Sequence, residues 1–175
     1  MTREDLRAVQ APLKESYRSE PQAAGITLKA EGRIGEGITC SIQTGKALVE
    51  AGLHPATGGT GMSACSGDML LEALAACAGV TMAAVATSLG IELRGGTVRA
   101  EGDLDFRGTL GVDRGVPVGF QNIRLQFDID TDASEEQLAT LHRLTERYCV
   151  VYQTLRQPPA IAISVNRHTP HVSHS

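Results

Sequence analysis

The chain has 175 residues, with 16 Lys plus Arg against 20 Asp plus Glu and 42% hydrophobic residues. That is enough apolar material for one globular core, so extensive disorder is excluded, and the absence of any like-charge block argues against nucleic acid or an anionic membrane as partner. The charged start Met1-Thr2-Arg3-Glu4-Asp5 has no apolar stretch behind it, so no secretory signal is read and a reducing cytoplasm is expected, where the four cysteines exist as thiols.

Residues 1–24 are polar and read as a loosely attached arm. Beyond it, Ile26, Leu28 and Ala30 alternate with polar neighbours, as do Ile38, Cys40 and Ile42, with Gly32 to Gly37 between them. This predicts a hairpin, with a short third strand at Lys46 to Val49. Gly58-Gly59-Thr60-Gly61 breaks the chain before a long helix capped by Ser66 or Asp68 and running to about Leu89. Ala73 to Ile91 carries no charge and is nominally long enough to span a bilayer, but its Ala, Gly, Thr and Ser content is weakly apolar. A soluble helix buried all round is the expectation, and Ala73, Ala76, Ala83 and Ala84 would let a second copy of it approach closely.

Alternation resumes at Val98, Ala100, Gly102, Leu104 and Phe106, then at Ile123, Leu125, Phe127 and Ile129, which predicts an antiparallel pair joined by a Gly-rich loop. Ser134-Glu135-Glu136-Gln137 reads as a capping box opening a second helix, with Leu141, Leu144, Tyr148, Val151 and Leu155 on one stripe and Pro158-Pro159 ending it. Ile161, Ile163 and Val165 predict a final strand. The order defines an α+β protein, antiparallel sheets around two main helices, with one domain over 25–166 and a polar tail over 167–175.

Cys77 and Cys149 fall in the two main helices, too far apart for a local redox motif. Cysteine is among the most buried residue types, so core packing is the default reading of each. Cys40, between Ile38 and Ile42, stays there, and Cys65 has no identified partner. His168, His171 and His174 lie in the polar tail and read as solvated rather than metal-binding. No visible partner serves His54 or His142, and the glycine-rich turns lack a phosphate-binding lysine.

The segment Asp68-Met69-Leu70-Leu71-Glu72-Ala73-Leu74-Ala75-Ala76-Cys77 resembles the first reactive-cysteine motif of the OsmC/Ohr superfamily of thiol peroxidases. Cys149-Val150-Val151-Tyr152-Gln153-Thr154-Leu155 is similar to its second, and the likeness extends over roughly Ile26 to Val165. The resemblance implies an intertwined homodimer, Cys77 as the thiol that attacks an organic hydroperoxide, and Cys149 as the thiol that closes a disulfide on it. A dithiol, lipoyl-type among the candidates, would reset the pair, and no cofactor or metal is implied. Val150 stands where the family usually has proline, and Tyr152 where serine is common. Gly67 occupies the place of a glutamate that pairs with a thiolate-holding arginine. Asp68 or Glu72 is the candidate replacement, and Arg33, in a turn similar to the family's first hairpin, is the candidate arginine, with Arg147 as fallback. Only a thiolate attacks peroxide oxygen rapidly, which is why a nearby cation is sought. Leu70, Met69, Val151 and Leu155 are the expected apolar walls. The alternative is a non-catalytic member of the same fold that binds an apolar small molecule.

Overall fold

The structure is a computed structural model that describes residues 2–19, 31–34, 39–43 and 48–167. Its spine is the helix Ser66–Leu89, here α2 because a first helix, α1, covers Arg3–Ser19. Ala, Leu and Met dominate α2 and are the strongest helix formers. Its two interior threonines donate back to carbonyls one turn earlier, Thr81 to Cys77 and Thr87 to Ala83, each at 2.8 Å. The N-cap is Cys65, without a side-chain cap hydrogen bond, rather than the expected Ser66 or Asp68. Gly90 ends the helix at φ 72°. Its N–H reaches Thr87 O, and the Ile91 N–H reaches Ala86 O at 2.9 Å, a Schellman closure that favours glycine.

Only one side of α2 is covered. Leu74, Ala78, Met82 and Ala86 are buried at four-residue spacing, and Met82, Ala86, Ile91 and Leu141 form a core cluster edged by Phe127 and Ile129. Met69, Ala73, Ala76, Val80, Ala83 and Thr87 form a second seam, in which Val80 is 72% exposed. Within one chain, then, part of the helix surface is left uncovered, and this is the part for which a second copy is expected. By length and composition it also passes for a membrane span, yet its covered face packs on protein elements (α4, α5 and β5, defined below).

Before α2, four strands form one sheet in sequential order. These are β1 (Glu31–Ile34), β2 (Thr39–Gln43), β3 (Leu48–Gly52) and β4 (Ala64–Cys65). The first three pair antiparallel, and β4 runs parallel to β3. The hairpin lies later in the chain than its alternation suggested: residues 26–30 are outside the described set, and Gly32 and Arg33, expected in the turn, are strand residues opposite Ile42 and Ser41.

After α2, β5 (Gly95–Asp103) and β6 (Asn122–Asp130) pair antiparallel over their full length. Val98, Ala100, Leu125, Phe127 and Ile129 are half-buried, while the intervening positions face outward. On that outer face Arg124 bridges Glu101 and Asp103, and Arg99 pairs with Asp128. Such exposed pairs add little stability, but a one-residue slip would separate them and turn the apolar set outward. Phe106, expected to extend β5, instead begins a single turn, α3 (Phe106–Thr109), and its ring stacks on His54 at 5.0 Å. His54 thus has partners after all: its Nδ1 also accepts the Ala56 N–H at 3.0 Å.

The capping box at Ser134 and Gln137 is present and opens α4 (Glu135–Tyr148). The helix stops at Cys149, and a separate helix, α5 (Val150–Arg156), follows. Residues 157–167 form no strand, contrary to expectation, and Ile161, Ile163 and Val165 are 82%, 89% and 91% exposed. Their alternation is that of a strand, and among the described residues no strand pairs with it.

Candidate active site

Cys77 lies midway along α2, and Cys149 lies at the α4–α5 break, where both helices pack on α2. Cys149 has φ −72° and ψ 108°, so it leaves the helical path for one residue. Its own N–H still closes α4 on Thr145 O, and the first amide of the new helix to find an intrahelical acceptor is Gln153, on Cys149 O, both at 3.0 Å. The amides of Val150, Val151 and Tyr152 are the donors that every helix start leaves free. Here they lie beside the sulfurs: the Val151 and Val150 amides favour the charged form of Cys77, and the Tyr152 and Val151 amides that of Cys149.

The two thiols act on each other, and their proton affinities shift in opposite directions. Burial pushes the Cys77 thiol up, but the Val151 N–H, the Cys149 thiol, the Val150 N–H and the Thr81 hydroxyl together outweigh it, and Cys77 lies below the ordinary thiol range. For Cys149 burial again raises the value, and although the Tyr152 N–H opposes this, the neighbouring Cys77 charge adds to the rise. Of the two, Cys77 is therefore the thiol that gives up its proton more readily. Thr81 has one hydroxyl proton, already directed to Cys77 O at 2.8 Å, so it serves carbonyl or sulfur but not both.

Val150 offers a way to isolate one of these amides. Proline at the first position of a helix is conformationally favourable and removes only an N–H that the helix itself does not use. Val150→Pro is expected to leave the fold intact and raise the Cys77 pKa. At neutral pH, iodoacetamide should then alkylate Cys77 several-fold more slowly, with the difference closing as pH rises and the thiolate becomes fully populated.

Asp68, Glu72 and Arg147 are not among the groups that shift the Cys77 thiol. Asp68 is exposed in the first turn of α2, nine residues before Cys77 and thus about 13 Å away along the axis. Glu72 is exposed as well. The side chain of Arg33, on β1, lies outside the described residues, as do Cys40's and the three tail histidines. Arg147 is exposed and lies over the Tyr148 ring at 5.6 Å. Gly67 faces the Phe120 ring, which would lie 3.5 Å from an added Cβ, with Cys65 Sγ at 3.6 Å; an aromatic edge and a thiol flank the position where a carboxylate was sought. Among the described residues no group of three or more His, Cys, Asp or Glu could hold a metal ion.

A cavity of about 520 Å³ lies between α2, β6 and the α4–α5 unit, walled by Leu74, Phe120, Leu125 and Phe127 and reaching Cys149. Of the four expected wall residues only Leu155 lines it, while Leu70, Met69 and Val151 do not. Tyr152 stands at its side, donating to Glu146 at 3.0 Å and accepting from Arg156 at 3.1 Å. His142 is 4.0 Å from the same carboxylate. Sequence reasoning missed the amide donors of α5 entirely. Thr81 was findable, because it sits one helical turn after Cys77 and such residues are neighbours.

The architecture and the facing thiols define a class of α+β proteins built around a cysteine on a central helix. The chain belongs to the OsmC-like protein family, whose model matches residues 59–164. Among solved structures, the chain is similar in fold to an OsmC-like protein from Mycoplasma pneumoniae, with 17% identity over 76% of this chain and 89% of that one and a TM-score of 0.63. It is likewise similar to an organic hydroperoxide resistance protein from Elizabethkingia anophelis (16% identity, 77% and 91% coverage, TM-score 0.58). A third is the organic hydroperoxide resistance protein OhrB of Bacillus subtilis (20%, 76% and 93%, 0.51). No curated protein matches the sequence.

Proposed function

We propose that the protein is a cytoplasmic, homodimeric thiol peroxidase that reduces organic hydroperoxides. The observation carrying this reading is that α2 and the α4–α5 break set Cys77 and Cys149 beside each other, with the proton affinity of Cys77 lowered and that of Cys149 raised. The Cys77 thiolate attacks the distal peroxide oxygen and the O–O bond breaks. Alcohol leaves after taking up a proton, and Cys77 becomes a sulfenic acid. The Cys149 sulfur then displaces hydroxide, released as water, to form the disulfide, and a dithiol, lipoyl-type among the candidates, restores both thiols.

Cys77 is flanked on α2 by Ala73 and Val80, one turn away on either side and both exposed. At the edge of a seam completed by a second copy, that apolar surrounding favours an alkyl hydroperoxide over hydrogen peroxide. The seam from Met69 to Thr87 has alternating four- and three-residue spacing with small residues at most positions. This spacing suits pairing with the same helix of a second copy. The exposed alternation at Ile161, Ile163 and Val165 fits a strand completed in that dimer. Arg33 is assigned to hold the thiolate from outside the amide cluster, with Asp68 as the carboxylate that pairs with Arg33 rather than touching Cys77.

The test is turnover. With excess dithiol, cumene hydroperoxide should be consumed with a kcat/KM at least tenfold above that for hydrogen peroxide, since burying even two methylenes' worth of surface is worth about that factor. No consumption of either peroxide would refute the reading.

A further inference from the structure

The cavity beside the thiols touches one of them and not the other. It is lined by Cys149 but not by Cys77, although Cys77 is the more exposed of the two and Cys149 is only 1% exposed. Its walls are largely apolar, and it holds one unmet polar group: Thr145, one turn before Cys149, has a buried Oγ1 with no hydrogen-bond partner. A buried hydroxyl left unpaired is costly and signals a missing neighbour. Hydroperoxide arriving at Cys77 has no evident use for this space.

Resting on the peroxidase reading above, we propose that this cavity is the entry for a small apolar dithiol reductant, which attacks Cys149 Sγ and expels Cys77. In that step a reductant thiolate forms a bond to Cys149 Sγ, the Cys77–Cys149 bond breaks, and its electron pair leaves on Cys77 as thiolate. The second reductant thiol, deprotonated, then attacks the reductant sulfur of the mixed disulfide. A cyclic disulfide departs, and Cys149 leaves as thiolate and takes up a proton. Overall, one dithiol is oxidised and the protein disulfide is reduced.

The directionality has two supports. Displacement at a disulfide sulfur requires approach from the side away from the leaving sulfur, and the cavity supplies open space at Cys149 without reaching Cys77. Leaving groups of lower pKa also depart faster, and Cys77 is the thiol held low by the α5 amides while Cys149 is raised. The two half-reactions thus use different faces, with peroxide meeting Cys77 beside the α2 seam and reductant meeting Cys149 through the cavity.

The experiment forms the disulfide with diamide, so that it does not depend on hydroperoxide activity. The oxidised protein is mixed with 2-phenylethanethiol, quenched with iodoacetamide and mapped by peptide mass. The expected product carries the phenylethyl thiol on Cys149 and the alkyl label on Cys77; the reverse pattern, or equal amounts of both, overturns the proposal. Ile123→Trp, on the cavity lining, should slow reduction by this thiol at least tenfold while leaving the first oxidation by tert-butyl hydroperoxide unchanged. Equal slowing of both steps, or of neither, would contradict it. A protein that shows the Cys149 adduct yet never consumes hydroperoxide would disprove the peroxidase reading and leave the exchange route standing.

Discussion

Replacing Cys77 with serine is expected to reduce hydroperoxide consumption to background, because a serine hydroxyl is almost wholly protonated at neutral pH and is a poor nucleophile toward peroxide oxygen without a dedicated base. Cys149→Ser should behave differently. Cys77 would still be oxidised once, giving a burst of about one alcohol per protomer, after which turnover stops and excess peroxide drives the sulfenate to sulfinic acid. The pair of variants separates the two roles, since both lack turnover and only one gives the burst. Stopped-flow oxidation with mass analysis of the Cys77 peptide reads the difference, and two variants that turn over like the parent would return both thiols to packing roles.

The second large effect concerns the scaffold that brings the sulfurs together. Leu141 is 1% exposed and packs with Met82, Ala86 and Ile91, pinning α4 to α2 two turns before Cys149. Leu141→Ala should cost about 2–5 kcal/mol, from lost burial plus the cavity left behind, a large share of the roughly 5–15 kcal/mol available to an ordinary domain. A urea titration should show the midpoint lowered with little change in slope. Because the anchor of α4 loosens while α2 retains its own helical bonds, disulfide closure should slow more than the first oxidation of Cys77. A shift well below 1 kcal/mol would mean that this contact is not what holds the two helices in place.

The elements legible in the sequence are those whose signals are local. The Ser134–Gln137 box, the end of the long helix near Leu89 and the alternation at Val98–Ala100 and Ile123–Ile129 each act within a turn or a strand and are found at the expected positions. α1 was legible and overlooked. Thr2 and Asp5 exchange hydrogen bonds, Asp5 N–H to Thr2 Oγ1 at 3.1 Å and Thr2 N–H to Asp5 Oδ2 at 2.9 Å, which is a Thr-x-x-Asp variant of the capping box. The break at Cys149 was not legible. The apolar stripe from Leu141 to Leu155 keeps helical period straight through it, and Val150 carries no conformational signal of its own. With the break went the amide donors, which leaves the arginine implied by the family resemblance as the thiolate-stabilising group legible in the sequence. Ile161, Ile163 and Val165 show another limit, since alternation records that a strand needs a covered face without recording which chain supplies it.

The most direct measurement treats fully reduced protein with one equivalent of tert-butyl hydroperoxide and maps its disulfides under non-reducing conditions. A Cys77–Cys149 bridge formed within each protomer, with Cys40 and Cys65 remaining alkylatable, is the predicted result. A bridge through Cys40 or Cys65, or four thiols still free after the peroxide is gone, would contradict it.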